Sequence, residues 1–322
     1  MSSTFGNRIK VTIFGESHGK GIGCVIDGLP AGKKIDSEAL KVFMSRRSAT
    51  REYETHRAEA DEYEIISGVF EEHTTGSPLC AVTYNKNQDP SAYSDVMICP
   101  RPSQSDYAAS VRYGGYNDFR GGGHLSGRLT SPLCFAGGIL KQLLEGIGIT
   151  INAYVTDEKL KEKAEAAKEK GDSVGGIVRC EIKGIPAGIG DPIFDGVENL
   201  ISCAVFGIPG VKGIEFGSGF DGCKETGSRQ NDVFCIKDGK ISTLTNNSGG
   251  INGGITNGND VVFSAAFKPV PSIALPQQTV DTSTMTEKTV TIGGRHDSCF
   301  VFRALPCVEA AAAMAISQLI QL

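Results

Sequence analysis

The stretch "CVIDGLPAG" fills residues 24–32, and "CEIKGIPAG" repeats its pattern at residues 180–188. In each, a short run that reads as a strand ends at a Gly-x-Pro-Ala-Gly turn, and a helix-like run follows. Further on, "TTGSPLCAV" (74–82) is matched more loosely by "TNGNDVVFSA" (256–265). Two readings are open: coincidence between short segments, or an internal duplication. A duplication predicts two similar halves, each with strands and a helical layer. No linker separates independent domains, so one domain over residues 1–322 is expected.

The surrounding elements fit that frame. "IKVTIFG" and "GCVIDGL" read as strands around the loop "ESHGKGI". Asp36 is placed to cap a helix, "SEALKVFMSRR", which runs into a polar stretch rich in arginine and acid. "EIISGVF" and "LCAVTYN" read as strands flanking the turn "TTGSP". "PLCFAGGILKQLLEGIG" predicts a buried helix ending at glycine, "ITINAYV" a strand, and "TDEKLKEKAEAAKEKGD" a solvated helix. Short apolar segments between glycines and prolines fill 174–303. "ALPCVEAAAAMAISQLIQL" is apolar on most faces and is expected to be a mostly buried C-terminal helix.

Composition narrows the function. Apolar residues make up 40% of the chain, enough for a sizeable core, and the 21% that are charged are too few for a disordered chain. A net charge of −5 argues against general nucleic-acid binding and against an anionic membrane surface. Any anion site must therefore be a local cluster of cations. The ten cysteines include no CxxC pair and sit mostly in apolar runs, which reads as reduced thiols in a cytoplasmic protein, with neither a disulfide framework nor a metal site. The start lacks the apolar core of a signal peptide, and no apolar run is long enough to span a membrane.

Four loops carry chemistry. "FGESHGKG" (14–21) presents Glu16, Ser17 and His18 at a strand end; alone, an ordinary loop with a surface histidine is the commoner meaning. Its glycines lack dinucleotide-binding spacing. Arg46, Arg47, Arg51 and Arg57, interleaved with acids, read either as a solvated helix end or as a clamp for phosphate and carboxylate. "RYGGYNDFRGGGHLSGRLT" (112–130), with "RPSQSDY" (101–107) before it, joins Arg101, Arg112, Arg120 and Arg128 to His124, Ser126 and three glycines able to form an anion nest. "GGRHDSCFVFRALP" (293–306) holds Arg295, His296 and Asp297, and "KPVPS" (268–272) offers Lys268 and Ser272 on a proline-stiffened loop. Together they suggest one site for a ligand with several anionic groups.

"FGESHG", "SGVFEEHTTGSP", "DFRGGGHLSGRLT", "VKGIEFG", "GGINGGITNG" and "GRHDSCFVFRALP" stand in this order over about residues 10–310. As an ordered set they resemble the chorismate synthases. The resemblance implies an α+β fold, a β-α-β sandwich core with internal pseudo-symmetry, assembled as a homotetramer. It implies a carbon–oxygen lyase that converts 5-enolpyruvylshikimate 3-phosphate into chorismate by 1,4-anti elimination, on the shikimate pathway to aromatic amino acids. Reduced FMN (FMNH2) would be required without net redox. NADPH is a candidate reductant of the flavin; the chain has no dinucleotide fingerprint, and whether it reduces its own flavin stays open.

Carried over residue by residue, His18 matches the donor of a proton to the leaving phosphate and Ser17 its partner. Asp297 matches the aspartate that helps take the proton from C6. Arg46, Arg128 and Arg303 match substrate-side arginines, and Arg51 stands beside a further one that falls on Glu52. Ser126 counts with the catalytic residues and with the flavin contacts. The other flavin contacts implied are His124, Leu125, Gly253, Lys268, Pro269, Val270, Pro271, Ser272 and Arg295. The family's "RPGHADY" is "RPSQSDY" here, which puts Gln104 at a catalytic histidine's place; glutamine hydrogen-bonds but is no general acid. The family's "RSS" becomes His124-Leu125-Ser126, and an imidazole at 124 would partly replace the lost cation, so His124→Ala is expected to cut turnover far more than His56→Ala. Where many members have Asn-Ala against FMN, this chain has Pro209-Gly210, so backbone contacts must serve. The alternative is an FMN-binding relative whose turnover is lost or reduced.

Overall fold

A computed structural model describes residues 3–48, 62–85, 97–237, 239–293 and 297–322. Arg51, His56, Arg57, Arg295 and His296 lie outside them. The first half supplies β1 (Lys10–Gly15), β2 (Gly21–Asp27), α1 (Ser37–Ser45), β3 (Glu64–Ser67), β4 (Leu79–Tyr84) and α2 (Thr130–Glu145). The second supplies β5 (Thr150–Val155), β6 (Gly176–Lys183), α3 (Val197–Phe206), β7 (Val211–Phe216), β8 (Val261–Phe267) and α4 (Val301–Leu319). The strands pair antiparallel in the orders β1-β2-β4-β3 and β5-β6-β8-β7, with Thr4–Phe5 added outside β1. Each half is thus the same strand-strand-helix-strand-strand-helix unit in the same spatial order.

The echoed turns show why coincidence fails as an explanation. In the first, the Thr74 hydroxyl donates to the Pro30 carbonyl at 2.6 Å and accepts from the Lys33 N–H at 2.9 Å, while Gly32 N–H donates to Thr74 O at 2.7 Å. In the second, Thr256 makes the same three bonds with Pro186, Ile189 and Gly188, at 2.7, 3.0 and 2.8 Å. Two unrelated loops would not converge on one three-bond pattern around one threonine. This is the internal pseudo-symmetry expected from the echo.

The helices fill the space between the sheets. α2 lies on β1 and β2, α4 on β5 and β6, and the two helices pack on each other with α1 and α3 at their flanks. One apolar cluster runs through all three layers, from Val11, Ile26 and Leu79 through Ile139 and Ala311 to Ile182 and Phe263. The helices cross at near-backbone contact. A Cβ on Gly137 would fall 2.4 Å from Ala310 Cα, so only glycine fits there. The alanine run 310–313 is buried and keeps α4 thin enough for a sheet on one side and a helix on the other. The architecture is the β-α-β sandwich expected.

Local readings mostly hold. The Asp36 carboxylate accepts from Ala39 N–H at 2.9 Å, capping α1. α1 ends at Ser45, so Arg46 and Arg47 leave the helix in its cap turn. "EIISGVF" is not one strand, because Gly68 at φ +86° breaks it after β3. Among the described residues no helix is long and apolar enough to cross a membrane.

Candidate active site

The loops that carry the polar residues gather at one end of the sandwich. In the first sheet, Gly21 pairs with Tyr84, so the β1–β2 loop and the chain leaving β4 emerge together. In the second, Gly176 pairs with Phe267, which sends the loop that starts at Lys268 out beside them. The contacts between the two sets are direct. Gln104 Nε2 donates to Ser272 Oγ at 3.0 Å, Lys268 Nζ to Ser103 O at 2.6 Å, and Thr282 N–H to Ile98 O at 2.9 Å. Burial of Lys268, with Lys212 adding repulsion, lowers its pKa from the ordinary lysine value. Gln104 therefore ties the loop of Lys268, Pro269, Val270, Pro271 and Ser272 to the first half, through a donor that an imidazole also provides.

His18 is buried at 7% exposure. Its ring lies against the backbone of Gly121, where a Cβ would fall 2.3 Å from Cε1 and 2.4 Å from Nδ1. Ser17 N–H donates to Gly123 O at 3.1 Å, fixing the loop of Ser17 and His18 on the glycine turn. Those glycines have φ of 58°, 83° and 54°, all left-handed, and Gly122 N–H donates back to Phe119 O at 3.2 Å. The turn is a seat for His18, and its Gly122 N–H is turned inward. Beside it, Arg120 Nε and Nη2 each donate to Asp118 at 2.8 Å. These bonds, with the nearby His18 adding its charge, hold the Asp118 carboxyl below the usual aspartate value.

His124 is placed between other groups. Its Nδ1 donates to Gly15 O at 2.8 Å, and its Nε2 lies 2.8 Å from Ser3 Oγ. The imidazole is a strut from the glycine turn to the first strands, an arrangement the sequence gives no way to foresee. His124→Ala is expected to lower unfolding free energy by about 1–2 kcal/mol, the worth of two such bonds, and to reduce turnover less than His18→Ala does. Urea titration and kcat together check this; a turnover loss equal to that of His18→Ala would show a direct chemical role. Leu125 follows it, partly exposed, and Ser126 caps the next short turn by accepting from Arg128 N–H at 3.3 Å.

Arg46, Arg47, Arg101 and Arg303 are bound to partners within the chain. Arg46 makes a two-bond pair with Glu309, at 2.8 and 2.7 Å. Arg101 makes another with Asp106, both bonds at 2.8 Å. Arg303 Nη1 donates to Asp297 at 2.9 Å, and its Nε to Arg47 O at 2.9 Å. Arg47 Nη1 donates to the Thr130 hydroxyl at 2.8 Å, which in turn donates to Gly127 O at 2.6 Å. Arg47, bound at its carbonyl by Arg303 and reaching Thr130 with its guanidinium, thus makes a polar relay from Asp297 in the second half to the loop after His124 in the first. Sequence reading missed Glu309, Asp118 and Thr130. A lone carboxylate inside "CVEAAAAMA" is the one signal that could have exposed Glu309, since it needs a buried partner.

Gly253 stands apart. It sits in the turn between Ile251–Asn252 and Ile255–Thr256, at the opposite end of the β6–β8 pair from Lys268. Seven residues of strand at about 3.3 Å each put it roughly 20 Å from that loop.

The chain is similar to known proteins over nearly all of its length. The family model described as chorismate synthase matches residues 9–158 and 155–320. The chorismate synthase of Thermococcus kodakarensis is 43% identical, over 97% of this chain and 96% of that protein. That of Archaeoglobus fulgidus is 41% identical, over 98% and 96%. A solved structure described as "Crystal Structure of Chorismate Synthase" shares the fold at a TM-score of 0.74 and 24% identity, over 98% of this chain and 92% of that one.

Proposed function

This chain belongs to the chorismate synthase family, and on that premise we propose that it eliminates phosphate from 5-enolpyruvylshikimate 3-phosphate to give chorismate, with reduced FMN bound and no net redox change. It is a lyase of aromatic biosynthesis. The observation that carries the reading is the relay from Asp297 through Arg303, Arg47 and Thr130 to Gly127, which locks an aspartate of one half to the loop that seats His18 in the other. A base and an acid held in fixed relation are what a two-ended elimination needs.

The residues present suit a flavin phosphate. Lys268 and Ser272 are held on one proline-stiffened loop, and a Cβ on Gly127 would meet no atom within 4 Å, leaving backbone open to a planar ligand. When bound, a reduced flavin supplies electron density to the breaking C–O bond. His18, packed on Gly121 and shielded from water, delivers a proton to the departing phosphate, with Ser17 holding the same loop. Asp297, its carboxylate steadied by Arg303, helps take the proton leaving C6. Arg128 and the surrounding cations balance the substrate's carboxylates and phosphate.

The whole chain of 322 residues acts as one unit, since both halves contribute to the site. A flavin contact from Gly253 would come from a second copy of the chain, which supports an oligomer such as the family's homotetramer. Ten cysteines, none in CxxC spacing and most in apolar runs, suit a reducing cytoplasm. Reduced FMN, with NADPH as a candidate reductant of it, completes the reading.

Anaerobic assay with substrate and reduced FMN tests it: wild type forms product, while His18→Ala and Asp297→Asn each fall by ~10²–10⁴. Wild type that binds FMN and yields no product would mark a relative without turnover. Gln104→His should keep or raise the rate, because it keeps a donor toward Ser272. Gln104→Ala should raise the KM for FMN several-fold, as expected for losing about 1 kcal/mol of loop positioning. An unchanged KM would detach Gln104 from the flavin loop.

A further inference from the structure

Beneath the relay lies a pair of thiols that the elimination does not use. Cys134 on α2 is fully buried, and Cys307 on α4 is 3% exposed. Cys134 Sγ donates to Cys307 Sγ at 3.6 Å, and Cys307 Sγ in turn donates to Arg303 O at 3.6 Å. Each cysteine sits one helical turn after a member of the relay, Thr130 and Arg303. One turn further in, Gly137 and Ala310 bring the two backbones into contact. The helices are therefore close enough for a bond whose Cα atoms must lie within about 7 Å.

The chemistry of the pair is unequal. The Cys307 pKa is lowered to about 7, first by the bond from Cys134, then by the Arg47 charge, the Thr130 hydroxyl and Arg303, against burial, which raises it. By contrast, Cys24 and Cys180, buried among apolar groups, are pushed up. One of two touching thiols is thus the nucleophile and the other is in place to resolve it.

We propose that Cys134 and Cys307 are a reversible oxidation site: a peroxide converts them to a disulfide, and this draws Thr130 and Arg303 out of the relay. The Cys307 thiolate attacks a peroxide oxygen; an S–O bond forms, the O–O bond breaks, and the departing oxygen takes a proton and leaves as water. Cys134 Sγ then attacks the sulfenic sulfur; the S–S bond forms, the S–O bond breaks, and a second water leaves with the Cys134 proton. The two sulfurs give up two electrons and the peroxide gains them. Closing from 3.6 Å to the ~2.05 Å of a disulfide shifts the starts of α2 and α4 toward each other, and the relay bonds at Thr130 and Arg303 move with them.

The test uses the wild-type chain, exposed to hydrogen peroxide without flavin, desalted, and mapped by mass spectrometry after thiol alkylation. The expected result is a peptide pair joined through Cys134 and Cys307, at least a tenfold loss of turnover, and recovery of both after dithiothreitol. Cys307→Ser should keep its turnover through the same exposure. The proposal is overturned if exposed Cys203 and Cys223 oxidise while Cys134 and Cys307 stay separate thiols, or if the linked chain turns over at the untreated rate. This inference leans on the proposed activity for one readout only. If the untreated chain has no turnover, that reading fails, and the pair is judged by the link and by amide exchange of residues 126–130, which the link should accelerate and whose unchanged exchange would overturn it.

Discussion

Gly121→Ala is expected to lower kcat by ~10²–10⁴, as much as removing the histidine it faces, while leaving the chain folded. The new Cβ would lie 2.3 Å from His18 Cε1 and 2.4 Å from its Nδ1, closer than a Cβ comes to any non-bonded heavy atom. The imidazole must turn away, and a misplaced acid loses the geometry that makes proton transfer effective. Part of any effect is backbone strain, because φ is +58° and a left-handed alanine costs about 1–2 kcal/mol. Gly122→Ala separates the two terms. Its φ is +83°, yet its Cβ would meet only Ser126 Cβ at 3.7 Å. Both variants should lose similar stability in urea, and only Gly121→Ala should lose turnover. Equal turnover in the two would mean that the seat of His18 does not matter.

The second large effect is on stability. Glu309 is 1% exposed in the middle of α4 and accepts two bonds from Arg46 and one from Ala153 N–H, the last at 3.0 Å. Glu309→Ala leaves a cation and a backbone donor without their acceptor. Removing one partner of a fully buried pair costs ~3–5 kcal/mol; Arg46 keeps 39% of its side chain in water, so about 2–4 kcal/mol is expected here. Glu309→Gln keeps an acceptor for both donors and should lose about half as much. Urea midpoints of the three proteins measure this, and a change within 0.5 kcal/mol for Glu309→Ala would assign Arg46 to ligand binding rather than to the core.

These two cases mark how far the sequence could be read. Strand alternation, the Asp36 cap and the buried C-terminal helix follow from local patterns, and local patterns survive folding. The echo at residues 24–32 and 180–188 carried the architecture, because both copies spell the same turn around Thr74 and Thr256. Pairing across the chain left no such mark. Arg46 meets a carboxylate 263 residues away, and Arg303 reaches back 256 residues to Arg47 O, and spacing gave no sign of either pairing. Its place in the motif makes His124 a replacement cation; the motif does not show that its neighbours in space are Gly15 O and Ser3 Oγ. The glycines of 121–123 signal close approach correctly, but what approaches is His18.

The relay and the seat of His18 have meaning for this chain only if the reaction is an elimination without net redox. The most direct measurement follows phosphate release and flavin absorbance together, under anaerobic conditions, with 5-enolpyruvylshikimate 3-phosphate in large excess over reduced FMN. The prediction is one phosphate per chorismate over many turnovers, with the flavin still reduced at the end. Phosphate release that consumes one reduced flavin per turnover, or no release while FMN is bound, would contradict it.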